Sequence, residues 1–163
     1  MTPVRRPGSG ASGGVGGLAT QLAVAAGVRV IGTASEAGQE RVAMYGATPI
    51  VYGVGIVDWV RALTPTVDAV LDAAGKGVLP DSIELRGGTD RVLTLADPAA
   101  YELGVEFSEQ SEHSAEVLAE VMGLVARGEL SVPVAKVLSF AEAARAQSLV
   151  DGGHAGGKVV LVP

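Results

Sequence analysis

Short apolar, β-branched runs recur along the chain at 28–33, 49–52, 67–71, 91–96, 132–138 and 158–162, each of strand length and bounded by turn-forming residues. Between several of them the spacing becomes helical. Val15, Leu18, Leu22 and Ala25 share one helix face, Val117, Leu118, Val121, Leu124 and Val125 share another, and 141–150 is rich in helix formers. Alternation of strand and helix with short connections predicts an α/β fold, a doubly wound and mostly parallel sheet. No repeat or long linker divides the chain, so residues 1–163 are expected to form one domain with an irregular start at 1–9. Gly27, Gly46 and Gly128 fall where helices should end, and Ser35 and Ser111 where helices should begin.

Composition narrows the class. Hydrophobic residues make up 48% and charged residues 18%, and no run of apolar residues reaches membrane-spanning length, so a soluble protein of the cytoplasm is expected. The start is polar and lacks the apolar segment of a secretory signal. A net charge of −6 with no basic cluster disfavours a nucleic-acid partner. Cysteine is absent and the two histidines, His113 and His154, lie far apart, so no metal site is expected. Aromatic residues are few, which leaves Val, Leu, Ile and Ala to build the core, as in parallel sheets covered by helices.

The densest chemical signal is Gly10-Ala11-Ser12-Gly13-Gly14-Val15-Gly16, which opens directly into the first helix and is followed by the run 28–33. Glycine backbone lets a diphosphate approach closely, and the free N–H groups and positive end of the following helix stabilise its charge. The same glycines also serve a tight turn without any ligand.

The glycine turn is followed by Gln21-Leu22-Ala23, Val30-Ile31-Gly32-Thr33-Ala34-Ser35, Tyr45-Gly46-Ala47, Val51-Tyr52 and Val67-Asp68-Ala69-Val70-Leu71-Asp72. Then come Gly87-Gly88 before Arg91-Val92-Leu93, Ala141-Glu142-Ala143-Ala144 and the closing Gly153-His154-Ala155-Gly156-Gly157-Lys158-Val159-Val160-Leu161. In this order the set resembles the nucleotide-binding half of zinc-independent, quinone-oxidoreductase-like medium-chain dehydrogenase/reductases, from about Ser9 onward. The resemblance implies an NADPH-binding domain, with Ser12, Gly13, Gly14, Val15 and Gly16 at the diphosphate and Ser35, Arg41 and Tyr52 toward the adenosine ribose. Where NAD-binding proteins place an acid on the ribose, this chain has Thr33, Ala34 and Ser35, which removes repulsion against a 2′-phosphate. Glu36, immediately afterward, acts in the opposite sense unless it only favours the next helix.

Two departures stand out. Family members carry a separate catalytic domain of on the order of 100 residues ahead of the turn, and this chain begins almost at the turn. In addition, the strand that should feed the turn is replaced by Arg5-Arg6-Pro7-Gly8-Ser9, where proline removes a ladder donor and glycine weakens the strand. That strand is expected to be short, distorted or supplied by another chain, which puts the binding shape of the turn in question.

Asp72 and Asp97 follow predicted strands and fall on the carboxyl edge where such folds place ligands, so with Tyr52 they are the first acid/base candidates. Aspartates there equally cap a turn or helix. Asp58 beside Trp59, and His113 among Glu106, Glu109 and Glu112, carry less, while His154 and Lys158 look like loop-shaping residues. The leading expectation is hydride transfer from NADPH to an electron-poor double bond of a small-molecule substrate, requiring a complementary domain. The alternatives are a repurposed cofactor-independent cyclase or isomerase acting on a hydrophobic natural product, and a non-enzymatic assembly partner. The aliphatic closing run, Lys158 to Val162, and the face that the absent domain would cover imply a homodimer.

Overall fold

The computed structural model describes residues 5–108, 114–152 and 155–163. In chain order the elements are β1 (Arg5–Ser9), α1 (Gly16–Ala25), β2 (Arg29–Ala34), α2 (Gln39–Met44), β3 (Thr48–Val51), α3 (Ile56–Leu63), β4 (Val70–Asp72), α4 (Leu79–Arg86), β5 (Val92–Thr94), α5 (Ala100–Leu103) and β6 (Glu106–Phe107). They are followed by α6 (Ala115–Ala126), β7 (Val134–Ser139), α7 (Ala143–Asp151) and β8 (Lys158–Val162). The first six strands form one parallel sheet in the order β3-β2-β1-β4-β5-β6. Strand order therefore reverses between β1 and β4, the point at which doubly wound folds open a ligand crevice. β7 and β8 pair with each other, also in parallel, as a separate two-stranded sheet.

At the start the expected short strand is present. Arg5–Ser9 is a strand of this chain, paired with β2 from Arg5↔Arg29 to Ser9↔Thr33. Toward β4 only Gly8 and Ser9 pair, with Leu71 and Asp72. The Arg5–Pro7 stretch thus behaves as an edge on that side, where a proline is tolerated.

The main core gathers Ile31, Ile50, Val60, Val67, Val70, Leu79, Val92, Ala100 and Val105, and a second cluster packs Ala11, Val30, Ala34, Val42 and Ala47 beneath the glycine turn. Helices α3 and α4 escaped the sequence expectations, although Ile56, Val60 and Leu63 are spaced for a helix face and Pro80 stands in the first turn of α4, where its missing N–H costs nothing. β6 was also missed, being only two residues long.

Gly27, Gly46 and Gly128 all adopt left-handed conformations after their helices, as expected. Ser35 leads into a single 3-10 turn, Glu36–Gly38, but its side chain makes no capping bond. Ser111 lies outside the described residues. Ser114 caps α6 instead, its hydroxyl accepting from the Val117 N–H at 3.3 Å.

Candidate functional site

Beyond β1 the chain reverses at Gly10 in the left-handed region (φ +72°), and the Ala11 N–H donates to the Thr33 carbonyl of β2 (3.0 Å). Gly13 N–H then donates to the Gly10 carbonyl (2.9 Å), and Gly17 N–H to the Gly13 carbonyl (2.8 Å), which winds the turn into α1. Space within it is scarce. A Cβ on Gly16 would collide with the Gly10 carbonyl, one on Gly17 would lie 3.0 Å from Tyr45 Cε2, and one on Gly13 would lie 3.2 Å from the Gly10 oxygen. Glycine at 16 is therefore a packing requirement. No side chain caps α1 at Val15, while the Gly17 and Ala19 N–H groups of its first turn are taken by the Gly13 and Val15 carbonyls. The result is a narrow cradle at the positive end of a helix, of the shape and polarity that suit a diphosphate.

The next wall comes from the ends of β2 and β3. Gln39, the first residue of α2, donates through Nε2 to the carbonyls of Ala34 (2.9 Å), Ser35 (3.2 Å) and Ile50 (3.0 Å), tying the two strand ends together. Nothing in the sequence singled Gln39 out, since its partners are carbonyls brought together only by the sheet. Ser12 packs against Gly38 so closely that a Cβ on Gly38 would lie 2.6 Å from its hydroxyl oxygen. Arg41 points back to the turn and donates through Nη1 to the Ser12 carbonyl (3.2 Å). Burial raises the Tyr45 phenol above its usual range, partly offset by the Arg41 charge.

A cleft of about 1030 Å³ brings together Gly10, Ser12, Gly13, Ser35, Arg41 and Tyr52, with the 73–78 loop after β4 as its far wall. Tyr52 is exposed there, and its backbone N–H is held by the Ala34 carbonyl (3.2 Å). Gly14, Val15 and Gly16 are not in the lining; they shape the turn behind it. Asp72 and Asp97 are also outside the lining.

Asp72 is fully buried and its carboxylate is engaged from several directions. Oδ1 accepts from the Ala74 and Gly75 N–H groups (2.9 and 3.1 Å), and Oδ2 accepts from the Thr94 hydroxyl (2.9 Å). Thr94 in turn accepts from the Ala96 and Asp97 N–H groups, while Asp97 Oδ1 accepts from the Ala99 N–H (3.0 Å). The chain turns at Gly75 with φ +61° against the Ala96 carbonyl, so the network fixes both strand ends beside the switch point. These carboxylates act as local acceptors of backbone N–H groups, the role aspartate serves best at turns. His113, Glu109 and Glu112, like His154, lie outside the described residues. Among the described residues no group of His, Asp and Glu side chains is assembled to hold a metal ion, and no helix is long and apolar enough to cross a membrane.

A doubly wound sheet in this strand order, with a glycine cradle at the switch point, defines the class as a Rossmann-type nucleotide-binding domain. A family profile described as zinc-binding dehydrogenase matches residues 45–161, well over half of the chain, and the chain belongs to that family. Comparison with curated protein sequences yields no match. Among solved structures, the quinone oxidoreductase of Coxiella burnetii is 26% identical, with a TM-score of 0.83 over 97% of this chain and 52% of its own. A structure described as an NAD-dependent alcohol dehydrogenase is likewise 26% identical, with a TM-score of 0.84, covering 99% of this chain and 53% of its own. The Escherichia coli quinone oxidoreductase complexed with NADPH shares the fold at 20% identity, with a TM-score of 0.81 over 100% of this chain and 58% of its own. The fold is thus that of the nucleotide-binding domain of medium-chain dehydrogenase/reductases of the quinone oxidoreductase type, and the chain spans a little over half the length of these structures.

Proposed function

We propose that the cleft binds NADPH, with the diphosphate on the turn from Ser12 to Gly16 and the adenosine ribose toward Ser35, Arg41 and Tyr52. The observation that carries this reading is the cleft, which brings Gly10, Ser12, Gly13, Ser35, Arg41 and Tyr52 together beside a helix N-terminus without a side-chain cap. The end of β2, at Thr33, Ala34 and Ser35, offers no carboxylate against a 2′-phosphate. Arg41 lines the cleft and, among the described residues, gives one donor to the Ser12 carbonyl, so its remaining donors suit a phosphate. Bound NADPH supplies a hydride for an electron-poor double bond. The residues of this chain hold and orient the dinucleotide, and a complementary domain is required to cover the nicotinamide and the small-molecule substrate. The named dinucleotides of the matched proteins differ, and the proposal of NADPH over NADH rests on the β2 end and Arg41.

Isothermal titration checks it directly. Wild type is expected to bind NADPH below millimolar concentration, and Gly13→Val to abolish binding while leaving the far-UV circular dichroism nearly unchanged. No binding by wild type at millimolar NADPH would defeat the reading. Arg41→Ala should weaken NADPH more than NADH, by on the order of 1.5–3 kcal/mol for a charged hydrogen bond; equal loss for both would confine Arg41 to bracing the turn.

The homodimer belongs to the same proposal. Val117, Leu118 and Met122 on α6, Val134 and Val137 on β7, and Val160 and Val162 on β8 are all exposed apolar side chains, which supports burial of this region against a second copy. Sedimentation as a stable monomer at tens of micromolar, on the order of concentrations where such surface drives association, would refute it.

A further inference from the structure

NADH and NADPH differ at one group on the adenosine ribose. A 2′-hydroxyl donates a hydrogen bond and is held by an acceptor, the part an acid plays at the end of the second strand in NAD-binding proteins. A 2′-phosphate accepts, and needs donors. Discrimination between the two therefore depends on which acceptors and donors stay free where β2 ends.

The backbone acceptors at that end are engaged. The Thr33 carbonyl accepts from the Ala11 N–H (3.0 Å). The Ala34 carbonyl accepts from the Tyr52 N–H (3.2 Å) and from Gln39 Nε2 (2.9 Å), and the Ser35 carbonyl from the Gly38 N–H (2.8 Å) and the same Nε2 (3.2 Å). A carbonyl oxygen has two lone pairs, so at Ala34 and Ser35 both are used. Nε2 also reaches the Ile50 carbonyl of β3 (3.0 Å), which holds the amide in place between the two strands. The one carboxylate of the connection, Glu36, is exposed and stands outside the cleft lining. What faces the cleft there is the Ser35 side chain, not committed to a cap, and the Arg41 guanidinium, both able to donate. Gln39 itself is outside the lining.

We propose that Gln39 is a specificity-determining residue: by occupying the carbonyls of Ala34 and Ser35 it strips the ribose end of acceptors for a 2′-hydroxyl and leaves donors for a 2′-phosphate. It acts through the backbone it binds, without touching the cofactor. This rests on the NADPH reading above and extends it, from Arg41, which attracts the phosphate, to a residue that disfavours the hydroxyl. An amide suits the position because its nitrogen only donates, whereas a carboxylate there would face three carbonyl oxygens.

Titration of wild type and Gln39→Met with NADPH, NADH and 2′-deoxy-NADH provides the test. Wild type should bind 2′-deoxy-NADH as tightly as NADH, because the hydroxyl finds no acceptor. Gln39→Met keeps the length of the side chain and removes its donors, so Ala34 and Ser35 each regain a lone pair. In that variant NADH should bind more tightly than its 2′-deoxy form, by about two- to tenfold for a neutral hydrogen bond. The preference for NADPH over NADH should shrink by a similar factor, whereas a purely structural role would weaken all three cofactors equally. Thermal melts verify that the variant is folded. A clear loss of wild-type affinity on removing the 2′-hydroxyl would overturn the assignment whether or not the variant folds. An unchanged NADPH preference in folded Gln39→Met would overturn it too, and either result leaves the NADPH site standing. Failure of wild type to bind any of the three would overturn both readings.

Discussion

The two sheets of this protein are built from similar aliphatic residues and reach opposite states of completion. In the six-stranded sheet, strands and helices close over Ile31, Val60, Leu79 and Val92, each at 2% exposure or less. In the stretch from residue 114 to the C-terminus, Leu130, Leu138 and Ala146 are the buried hydrophobic side chains, and α6 buries none. Leu118 on α6 is 63% exposed. Layers on both faces make a sheet self-sufficient, whereas two strands with two helices leave one apolar face without a counterpart. The C-terminal region owes its position to seams with the main sheet, above all the Gln21–Ser131 pair and the approach of Lys158 to the glycine turn.

The sharpest contrast should come from paired truncations. Leu79→Ala removes a fully buried side chain from the main core and is expected to cost about 2–5 kcal/mol in chemical denaturation. Leu118→Ala should cost less than about 0.5 kcal/mol, unless α6 is covered in the assembled protein. A large loss at Leu118 that grows with protein concentration would reveal that cover.

A smaller effect is expected at the seam. Gln21→Ala removes both side-chain bonds to Ser131 and should lower stability by about 0.5–1.5 kcal/mol. Hydrogen exchange should quicken in β7 and β8 before it does in β2 or β4; uniform acceleration would mean that the two regions unfold as one unit.

The smallest effect is one of pH. Glu142 accepts from the Ser139 N–H and hydroxyl and pairs with Arg145, and these contacts lower its carboxyl below the ordinary value, led by the backbone hydrogen bond. A folded-state value below the unfolded one means stabilisation that is fully present above the ordinary glutamate range near 4.3. It is lost as pH falls through the depressed folded-state value. Replacing Glu142 by Gln should therefore reduce stability slightly at neutral pH and flatten its acid dependence over that window, as followed by thermal melts. An unchanged acid profile would show that the reciprocal Ser139–Glu142 cap of the 3-10 turn Phe140–Glu142 adds nothing to stability.

Several features were legible from residue order. The apolar runs and the terminal glycines expressed local preferences, and for Gly27, Gly46 and Gly128 a left-handed residue is needed whatever lies nearby. The glycine turn announced its position because it opens directly into the first helix and precedes the run 28–33. The lining of the cleft was partly legible: Ser12, Gly13, Ser35, Arg41 and Tyr52 do meet in it. Arg41 shows the limit. Its sequence position suits a ribose phosphate, but the structure also gives it the Ser12 carbonyl as a partner.

What tertiary structure alone decided has a common cause. Arg5–Ser9 reads as a poor strand because proline and glycine lower its intrinsic preference, yet pairing along β2 supplies the ladder that local preference withholds. Asp72 looked available at a strand end, and only its placement beside Thr94, Ala74 and Gly75 shows a carboxylate already committed to local hydrogen bonds. Gln39 carried no motif, because its bridge from Ala34 and Ser35 to Ile50 exists only once the sheet brings those carbonyls together. Residue order determined where strands, helices and the glycine turn lie, since those depend on neighbours. Which charges and carboxylates remain free at the site depends on distances across sheets, and only folding sets those.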